Sequence, residues 1–302
     1  MSSFQLFLQQ LSNGLTLGSI YALIALGYTM VYGVIQLINF AHGEVFMAGA
    51  YVALFVILFL SAMALPWWLV FVISVAVSAF VCSLIGWLIE RLAYAPIRQA
   101  PRLNAFITAI GMSLFLQNTL MLIGGARDRQ FPSMIPGTQW QFGRVTITFL
   151  QFLIWASAAL MMLILQWLVM HTRLGKAMRA TAQDMTACLL LGIPVDRIIA
   201  VTFMLGSAFA AAGGLLFGLQ YGTINFHDGY VIGMKAFTAA VLGGIGNVPG
   251  AMVGGLLLGL LEAFAAGYLS AQWKSVFAFL VQVVILLCKP TGLLGERVAD
   301  RA

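Results

Sequence analysis

The stretch LINFAHGEVFMAG, residues 37–49, decides how the rest of this chain can fold. The stretch contains Glu44, which is the only Asp, Glu, Lys or Arg in residues 1–89 and stands between long apolar runs. A carboxylate at the middle of a bilayer costs roughly 2.5–3.5 kcal/mol, so such residues usually face a protein interior or a water-filled path. Glu44, with Asn39 and His42 as its expected partners, therefore indicates a helix break where polar groups meet a cavity. The end of a span in the headgroup zone would fit the same residues, and both interpretations stay open.

The composition around this stretch is that of a membrane protein. Of the 302 residues, 62% are hydrophobic and 8% are charged, which predicts an all-α polytopic membrane protein. Because no hydrophilic block is long enough for a second fold, we expect a single transmembrane domain over residues 1–302. The three cysteines stand far apart and indicate neither a disulfide framework nor a metal site. No removable signal peptide is indicated, since no Lys or Arg precedes the first apolar run.

Apolar segments follow one another along the whole chain. A span needs about 20 residues, so we predict about eight to ten transmembrane or partly re-entrant helices with glycine-rich breaks. The predicted segments are 11–34, 40–62, 67–88, 103–123, 146–170, 198–221, 230–243, 251–269 and 275–288. The linker at 90–102 carries three arginines and two prolines and is expected to end the third helix.

A glycine-rich sequence, GGIGNVPG at 243–250, interrupts the last third of the chain. No continuous helix tolerates such a sequence comfortably. It predicts a discontinuous or re-entrant segment, which is stable only where protein or water satisfies the freed backbone groups. The residues expected to form this helix-breaking turn are Gly243, Gly244, Gly246, Pro249 and Gly250. They lack the spacing and context of a nucleotide-binding loop, so a packing role is the better interpretation.

The basic residues suggest an orientation. If the linkers 90–102 and 171–197 and the C-terminal tail share one side, that side holds ten of the fifteen Lys and Arg. The other five are Arg127, Arg129, Arg144, Lys235 and Lys274. The richer side is predicted to be cytoplasmic. Strict alternation then places the N-terminus outside, but a re-entrant break would change the parity, so the sequence leaves this side open.

The loop 171–197 is polar but has helical periodicity. Apolar residues recur every three or four positions from Leu174 to Gly192, beside several charged residues. This pattern predicts a short amphipathic helix on the cytoplasmic face, and Thr181 could start a second helix because Asp184 follows three residues later. Such a helix can lie on the membrane or dock into a groove on a soluble partner, and both alternatives stay open.

Three stretches together carry a resemblance to a known family. They are LINFAHGEVFMAGAY at 37–51, RLGKAMRATAQDMTACLLLGI at 173–193 and KAFTAAVLGGIGNVPGAMVGGLLLG at 235–259. In combination they resemble the integral-membrane permeases of branched-chain amino-acid ABC importers, of the LivH type. The resemblance continues to the tail PTGLLG at 290–295 and so covers nearly the whole chain.

This resemblance implies a permease subunit of the bacterial inner membrane. It would form the translocation path for leucine, isoleucine, valine or related amino acids and work by alternating access. Asn39, His42 and Glu44 would line the path or form a polar helix break. The loop 171–197 would couple the permease to an ATPase, with the candidate residues Arg173, Gly175, Arg179, Asp184, Ala187 and Gly192. ABC importers carry a Glu-Ala-Ala signature, then three residues, then Gly. The matching positions here are Thr186, Ala187, Cys188 and Gly192, of which Ala187 and Gly192 are kept.

The resemblance also implies partners. We expect a second homologous permease subunit forming a heterodimer, two ATPase subunits, an extracytoplasmic substrate-binding protein and membrane lipid, but no nucleic acid. The chain has no G-x-x-x-x-G-K-[ST] phosphate loop. ATP and Mg are therefore expected on the ATPase subunits, with no cofactor or metal in this chain, which would be a transport subunit and not an enzyme.

Two other classes of protein compete with this interpretation. A proton-coupled secondary amino-acid transporter could use Glu44 and His42 as a proton relay, and it stays as the alternative. An intramembrane hydrolase fits poorly, because the sequence contains neither a Gly-x-Ser-x-Gly elbow nor a His-Glu-x-x-His motif.

Overall fold

The computed structural model describes residues 3–63, 65–98, 100–289 and 291–295. Most of these residues are helical. The helices are α1 Ser3–Ile35, α2 His42–Ser61, α3 Trp67–Ile89, α4 Arg102–Gly124, α5 Phe149–His171, α6 Arg173–Gln183, α7 Met185–Leu190, α8 Val195–Tyr221, α9 Asp228–Gly243, α10 Val248–Tyr268 and α11 Lys274–Cys288. Within this described part, seven helices are long and apolar enough to cross a membrane, namely α1 to α5, α8 and α10. The predicted all-α polytopic membrane protein is thereby confirmed.

Each predicted apolar segment overlaps one helix, and α9 and α11 are the two short ones, with 16 and 15 residues. The end of the third helix differs from the prediction. The chain continues beyond α3 as a π-helical turn, Glu90–Tyr94, and a 3-10 turn, Ala95–Ile97. Pro96 lies in the first turn of the 3-10 helix, where a missing N–H removes no helical hydrogen bond. The arginines and prolines of this linker therefore do not stop the helix where the sequence analysis expected.

Short strands, which the sequence pattern does not indicate, lie between the helices. They are β1 Arg129–Gln130, β2 Gln139–Phe142, β3 Val145–Thr148 and β4 Thr223–Ile224. β2 and β3 form an antiparallel hairpin, and β1 pairs with β4. The hairpin turns at Gly143, whose φ of +67° is in the left-handed region that two-residue hairpin turns require. β3 then leads directly into α5, which Thr148 and Gln151 begin with a capping box.

Contacts between helix ends sort the connections into two groups. At one end of the bundle, called here the hairpin end, the side chain of Gln9 in α1 accepts a hydrogen bond of 2.9 Å from the backbone N–H of Thr146 in β3. At the other, called the basic end, Arg98 pairs with Asp196 at the start of α8. Because α5 runs from one end to the other, the first turns of α1 lie opposite residues 172–194.

The core is built around α1, which packs against α8, α9 and α10 and is buried along most of its length. Its closest neighbour is α10, which runs antiparallel to it. A methyl group built on Gly259 would overlap the backbone nitrogen of Gly18, and one built on Gly18 would stand 2.7 Å from Cα of Leu256. Only glycine permits such an approach of two helix backbones. Helices α4 and α5 lie at the periphery and expose many large apolar side chains, as lipid-facing helices do.

Candidate functional site

The predicted polar break lies where α2 begins, inside the bundle. His42, the first residue of α2, packs so closely on Gly27 of α1 that a side chain at Gly27 would overlap its ring. Gly27 is eight residues from the end of α1 at Ile35, a distance of about 12 Å along a helix. Residues 36–41 are not helical, and they lead the chain from the end of α1 back to the level of Gly27. The break is therefore inside the bundle and not at the level where α1 ends.

Asn39 fixes the end of this non-helical segment. Its Oδ1 accepts a hydrogen bond from the backbone N–H of Ala41 at 3.2 Å and lies 3.3 Å from the hydroxyl of Tyr94. The same hydroxyl is 3.2 Å from the carbonyl oxygen of Ile38. Tyr94 belongs to the π-helical turn Glu90–Tyr94 after α3. This turn, which was expected to be part of a linker, therefore holds the non-helical segment 36–41 in place.

Glu44 is completely buried, and its partner is on another helix. Its Oε1 lies 3.4 Å from the hydroxyl of Ser113 in α4, and its Oε2 lies against Gly229 at the start of α9. The expected pairing of Glu44 with Asn39 and His42 is wrong: Asn39 caps the segment before α2, and the His42 ring packs on Tyr28 at 4.8 Å between centroids. His42 and Glu44 form a packed layer that joins α2 to α1, α4 and α9, whereas Asn39 holds the segment before α2 against Tyr94.

The loop 171–197 forms two helices, α6 and α7, instead of one. Thr172 caps α6 by accepting a hydrogen bond of 3.0 Å from the N–H of Gly175. Asp184 caps α7 by accepting one of 2.9 Å from the N–H of Ala187. The second helix therefore starts after Asp184 and not at Thr181, which is buried within α6. A carboxylate is a strong N-cap because it satisfies free N–H groups and complements the helix dipole.

Besides Asp184, which caps α7, two more of the six candidate coupling residues serve this local fold. A side chain on Gly175 would overlap the carbonyl oxygen of Val169, so glycine is required where α6 folds back on α5. The guanidinium of Arg179 donates a hydrogen bond to the same carbonyl group of Val169. Arg179 therefore ties α6 to the last turn of α5, where a helix leaves carbonyl groups without intrahelical partners.

Four of the six candidate residues are exposed: Arg173, Asp184, Ala187 and Gly192. Gly192 has a φ of +77°, and a Cβ added to it would meet no atom within 4 Å. Its backbone conformation and not its packing therefore requires glycine.

The most exposed apolar side chains of this region were not predicted from the sequence. Leu189, Leu190 and Leu191 are 61%, 85% and 79% exposed, although the periodicity of the loop places Leu189 in the apolar stripe. Three adjacent leucines cannot all face one side of a helix. Their occurrence at the end of a polar loop therefore indicates that at least one of them is exposed. Together they form an apolar protrusion, called here the leucine tip.

The glycine-rich turn joins α9 and α10 as two antiparallel helices at the basic end. Gly244 and Gly246 have φ values of +106° and +94°, and Pro249 lies in the first turn of α10. Asn247 caps α10 by accepting a hydrogen bond of 2.9 Å from the N–H of Gly250. Gly243 ends α9, and its carbonyl group accepts a hydrogen bond of 2.9 Å from Leu294 in the tail. The predicted break is thus present, and the tail satisfies part of its backbone.

A buried ion pair, also missed by sequence reasoning, joins α9 to α10. Lys235 Nζ lies 2.7 Å from Glu262 Oε1, and the hydroxyl of Tyr21 in α1 donates a hydrogen bond of 2.9 Å to Glu262 Oε2. The signal was available, because Lys235 and Glu262 are isolated opposite charges in two consecutive apolar segments. Charged residues at this depth are expected to pair.

The fold and these sites define a class of protein: a polytopic α-helical membrane protein with broken helices, buried charges and a helical protrusion at its basic end. Comparison with known families agrees with this class. Residues 10–286 match the family described as branched-chain amino acid transport system / permease component. The chain belongs to this family. It is a transport permease and not an enzyme.

Individual relatives are similar over almost their whole length. The chain is 50% identical over 299 residues to the high-affinity branched-chain amino acid transport system permease protein LivH of Escherichia coli, covering 97% of both chains. It is 50% identical over 298 residues to the corresponding protein BraD of Pseudomonas aeruginosa, covering 96% of both. A probable LivH of Methanocaldococcus jannaschii is 26% identical over 94% of this chain and 91% of its own length. No solved structure matches the chain.

Proposed function

We propose that this chain is the integral-membrane subunit that forms the translocation path of an ATP-driven importer for branched-chain amino acids. The observation that carries the proposal is its 50% identity, over nearly its whole length, to permeases named for this transport. The chain would act in a bacterial inner membrane as one permease domain over residues 1–302. Because it has no phosphate-binding loop, ATP and Mg would bind to another subunit.

Membership of this family implies ATPase and binding-protein partners in general. In the arrangement we propose, a second homologous permease subunit completes the path as a heterodimer. Two ATPase subunits bind at the basic end, and an extracytoplasmic binding protein delivers substrate at the hairpin end. The side assignment follows from the greater number of basic residues beside α6 and α7.

The leucine tip is the proposed contact with the ATPase. The apolar face of α6, including Met178 and Thr181, is already buried against the bundle, so it is not available to lie on lipid. The leucine tip remains exposed at the far side of α7, beside the exposed Asp184 and Ala187. An apolar tip with a polar rim fits a groove on a soluble partner better than a membrane surface.

Alternating access would follow from movement of this protrusion. The bond from Arg179 to Val169 ties α6 to α5, and Gly192 and Pro194 connect α7 directly to α8. When the ATPase pair closes, a displaced leucine tip would therefore move α5 and α8 together. Backbone contacts through glycine, such as Gly27 with Gly206 between α1 and α8, would permit these helices to slide.

The proposal is tested by reconstituting the complete importer in liposomes and measuring uptake of radiolabelled leucine, isoleucine and valine. Uptake should require ATP on the ATPase side and stop when the ATPase is replaced by a hydrolysis-deficient variant. A protonophore should leave it unchanged. Uptake that continues without ATP but stops with a protonophore would overturn the proposal in favour of a proton-coupled transporter that uses Glu44 and His42.

A further inference from the structure

A cavity with both polar and apolar walls lies at the hairpin end between α1, α5, α8 and α10. Its volume is about 220 Å³. This is below the roughly 300–1,000 Å³ of pockets for drug-sized ligands, and it suits a solute the size of an amino acid. The side-chain amides of Gln10, Asn13, Gln151 and Gln220 line part of the wall. The packed layer of Glu44 and the coupling helices do not contribute to it, and of the buried ion pair described above only Glu262 lines it.

Two hydrogen-bond acceptors in the cavity wall have capacity for a cationic ligand. Glu262 lines the cavity and is only 1% exposed. Its two oxygens already contact Lys235 and Tyr21, but each carboxylate oxygen has two lone pairs and can accept again. Gln220 lines the same cavity, and its Oε1 is buried without a hydrogen-bond partner among the described residues. A buried acceptor without a donor is costly, and an ammonium group would supply donors to both residues.

The rest of the wall provides the other properties that an apolar amino acid requires. Lys274, the first residue of α11, lines the cavity and carries the positive charge that a carboxylate would need. Leu17, Ile20 and Ala266 provide an apolar surface. The cavity therefore combines an acid, a base and an apolar wall, which are the three features that recognise a zwitterion with a hydrocarbon side chain.

We propose that this cavity is a transient binding site for a zwitterionic, apolar amino acid within the permease itself. Glu262 and Gln220 bind its ammonium group, Lys274 faces its carboxylate, and Lys235 positions Glu262 from the opposite side. A charged group that leaves water needs an opposite charge and hydrogen bonds; the ammonium group would share the Glu262 carboxylate with Lys235 and donate hydrogen bonds to Glu262 and Gln220. This inference rests on the proposed function, because it assigns a binding site to the same transported solute.

The test uses the full complex of permease and ATPase subunits without the binding protein. In a Cys288→Ser background, Ala266→Cys places a thiol on the cavity wall, and its reaction rate with a small water-soluble thiol reagent is measured. Leucine at about ten times its dissociation constant should slow the reaction about tenfold. The analogue 4-methylpentanoate, which is leucine without its amino group, should not slow it. Ala271→Cys, exposed just beyond α10, is the control and should react equally fast under all conditions.

Two further variants examine the assigned contacts. Glu262→Gln should abolish the protection by leucine, but it also leaves Lys235 without its counter-charge and could impair folding. Gln220→Leu has similar volume, removes the unpaired acceptor and leaves the ion pair intact, and it should weaken the protection. Protection of Ala266→Cys that is equal for leucine and 4-methylpentanoate, or absent for both, would overturn the proposal.

Uptake by the unmodified importer distinguishes failure of the proposed transport function from failure of the proposed binding site. If leucine uptake is normal and leucine gives no protection, the site is wrong and the proposed function stands. If the complete importer transports no branched-chain amino acid, the proposed function is wrong, and the assignment of this cavity is wrong with it.

Discussion

The buried carboxylates inside the bundle are stabilised by two kinds of contact, an ion pair or a neutral hydroxyl group. Glu262 has a full counter-charge in Lys235, Glu90 is paired with Arg98, and Glu44 has a hydroxyl partner in Ser113. These differences matter because a buried ion pair that loses one partner leaves an uncompensated charge, whereas a carboxyl group beside a hydroxyl can be replaced by an amide. The contacts therefore predict different outcomes for neutralising each residue.

Glu44→Gln should retain ATP-dependent uptake between about pH 6 and pH 8. The amide keeps the size of the side chain and can still hydrogen-bond to Ser113, so the packed layer at the start of α2 is preserved. Uptake of leucine by the reconstituted importer at several pH values provides the measurement. Abolished uptake in a variant that assembles normally would mean that the charge of Glu44 is essential. It would then favour a proton-coupled transporter that uses Glu44 and His42 as a proton relay.

Arg98→Gln should destabilise the protein far more than Asp196→Asn. Arg98 pairs with both Glu90 and Asp196, whose side chains are 4% and 87% exposed. Loss of Arg98 leaves Glu90 buried without its partner, which costs about 3–5 kcal/mol. Loss of the exposed Asp196 charge removes a surface ion pair worth about 0–1 kcal/mol. The midpoints of thermal unfolding in detergent measure the difference, and equal midpoints for the two variants would contradict it.

Among the elements, α6 and α7 depend on two turns with different requirements. The turn before α6 needs glycine for space, because a side chain on Gly175 would overlap Val169. The turn after α7 needs glycine for conformation, because Gly192 has a positive φ but open surroundings. The first turn fixes α6 to α5, and the second sets the direction from the leucine tip into α8.

Gly192→Val should give a permease that inserts normally but no longer couples ATP hydrolysis to uptake. A β-branched residue in the left-handed conformation costs about 1–2 kcal/mol, so the turn is expected to change shape and move the leucine tip. Membrane abundance, transport-stimulated ATPase activity and uptake are measured together. Gly192→Asn is the matched control, because asparagine tolerates this conformation, and it should keep both activities. Normal coupling in the valine variant would contradict the role of this turn.

At the scale of the whole molecule, the spans were predictable, and the contacts between them were not. Long apolar runs marked nine helices, and the glycine-rich sequence before Val248 marked the α9–α10 turn. The partner of Glu44 and the Lys235–Glu262 pair could not be derived, because such contacts depend on which helices become neighbours. The hairpin from Gln139 to Thr148 was missed because strands of four residues carry little periodicity. The helical turns after Glu90 were not predicted, because the charge of Glu90 is neutralised by Arg98, eight positions later in the chain.

The arrangement of the two ends also predicts the topology of the chain. Residues 125–147 should face outside, on the same side as the first turns of α1, and residues 172–194 should face the cytoplasm. In the Cys288→Ser background, Gly137→Cys should react with a membrane-impermeant maleimide in intact spheroplasts. Gln183→Cys should react only in inside-out vesicles. Both positions are exposed, so accessibility alone does not distinguish them. The reverse pattern of labelling would invert the assigned orientation.

The close packing of α1 on α10 has a consequence for synthesis. These helices are separated by residues 36–247, and at roughly 5–20 residues per second α10 follows α1 into the membrane on the order of ten seconds later. During this interval the glycine face of α1 and the hydroxyl of Tyr21 have no final partner, because Gly259 and Glu262 are not yet made. The nascent chain must therefore keep its central helix available in the bilayer until nearly all the others have been inserted.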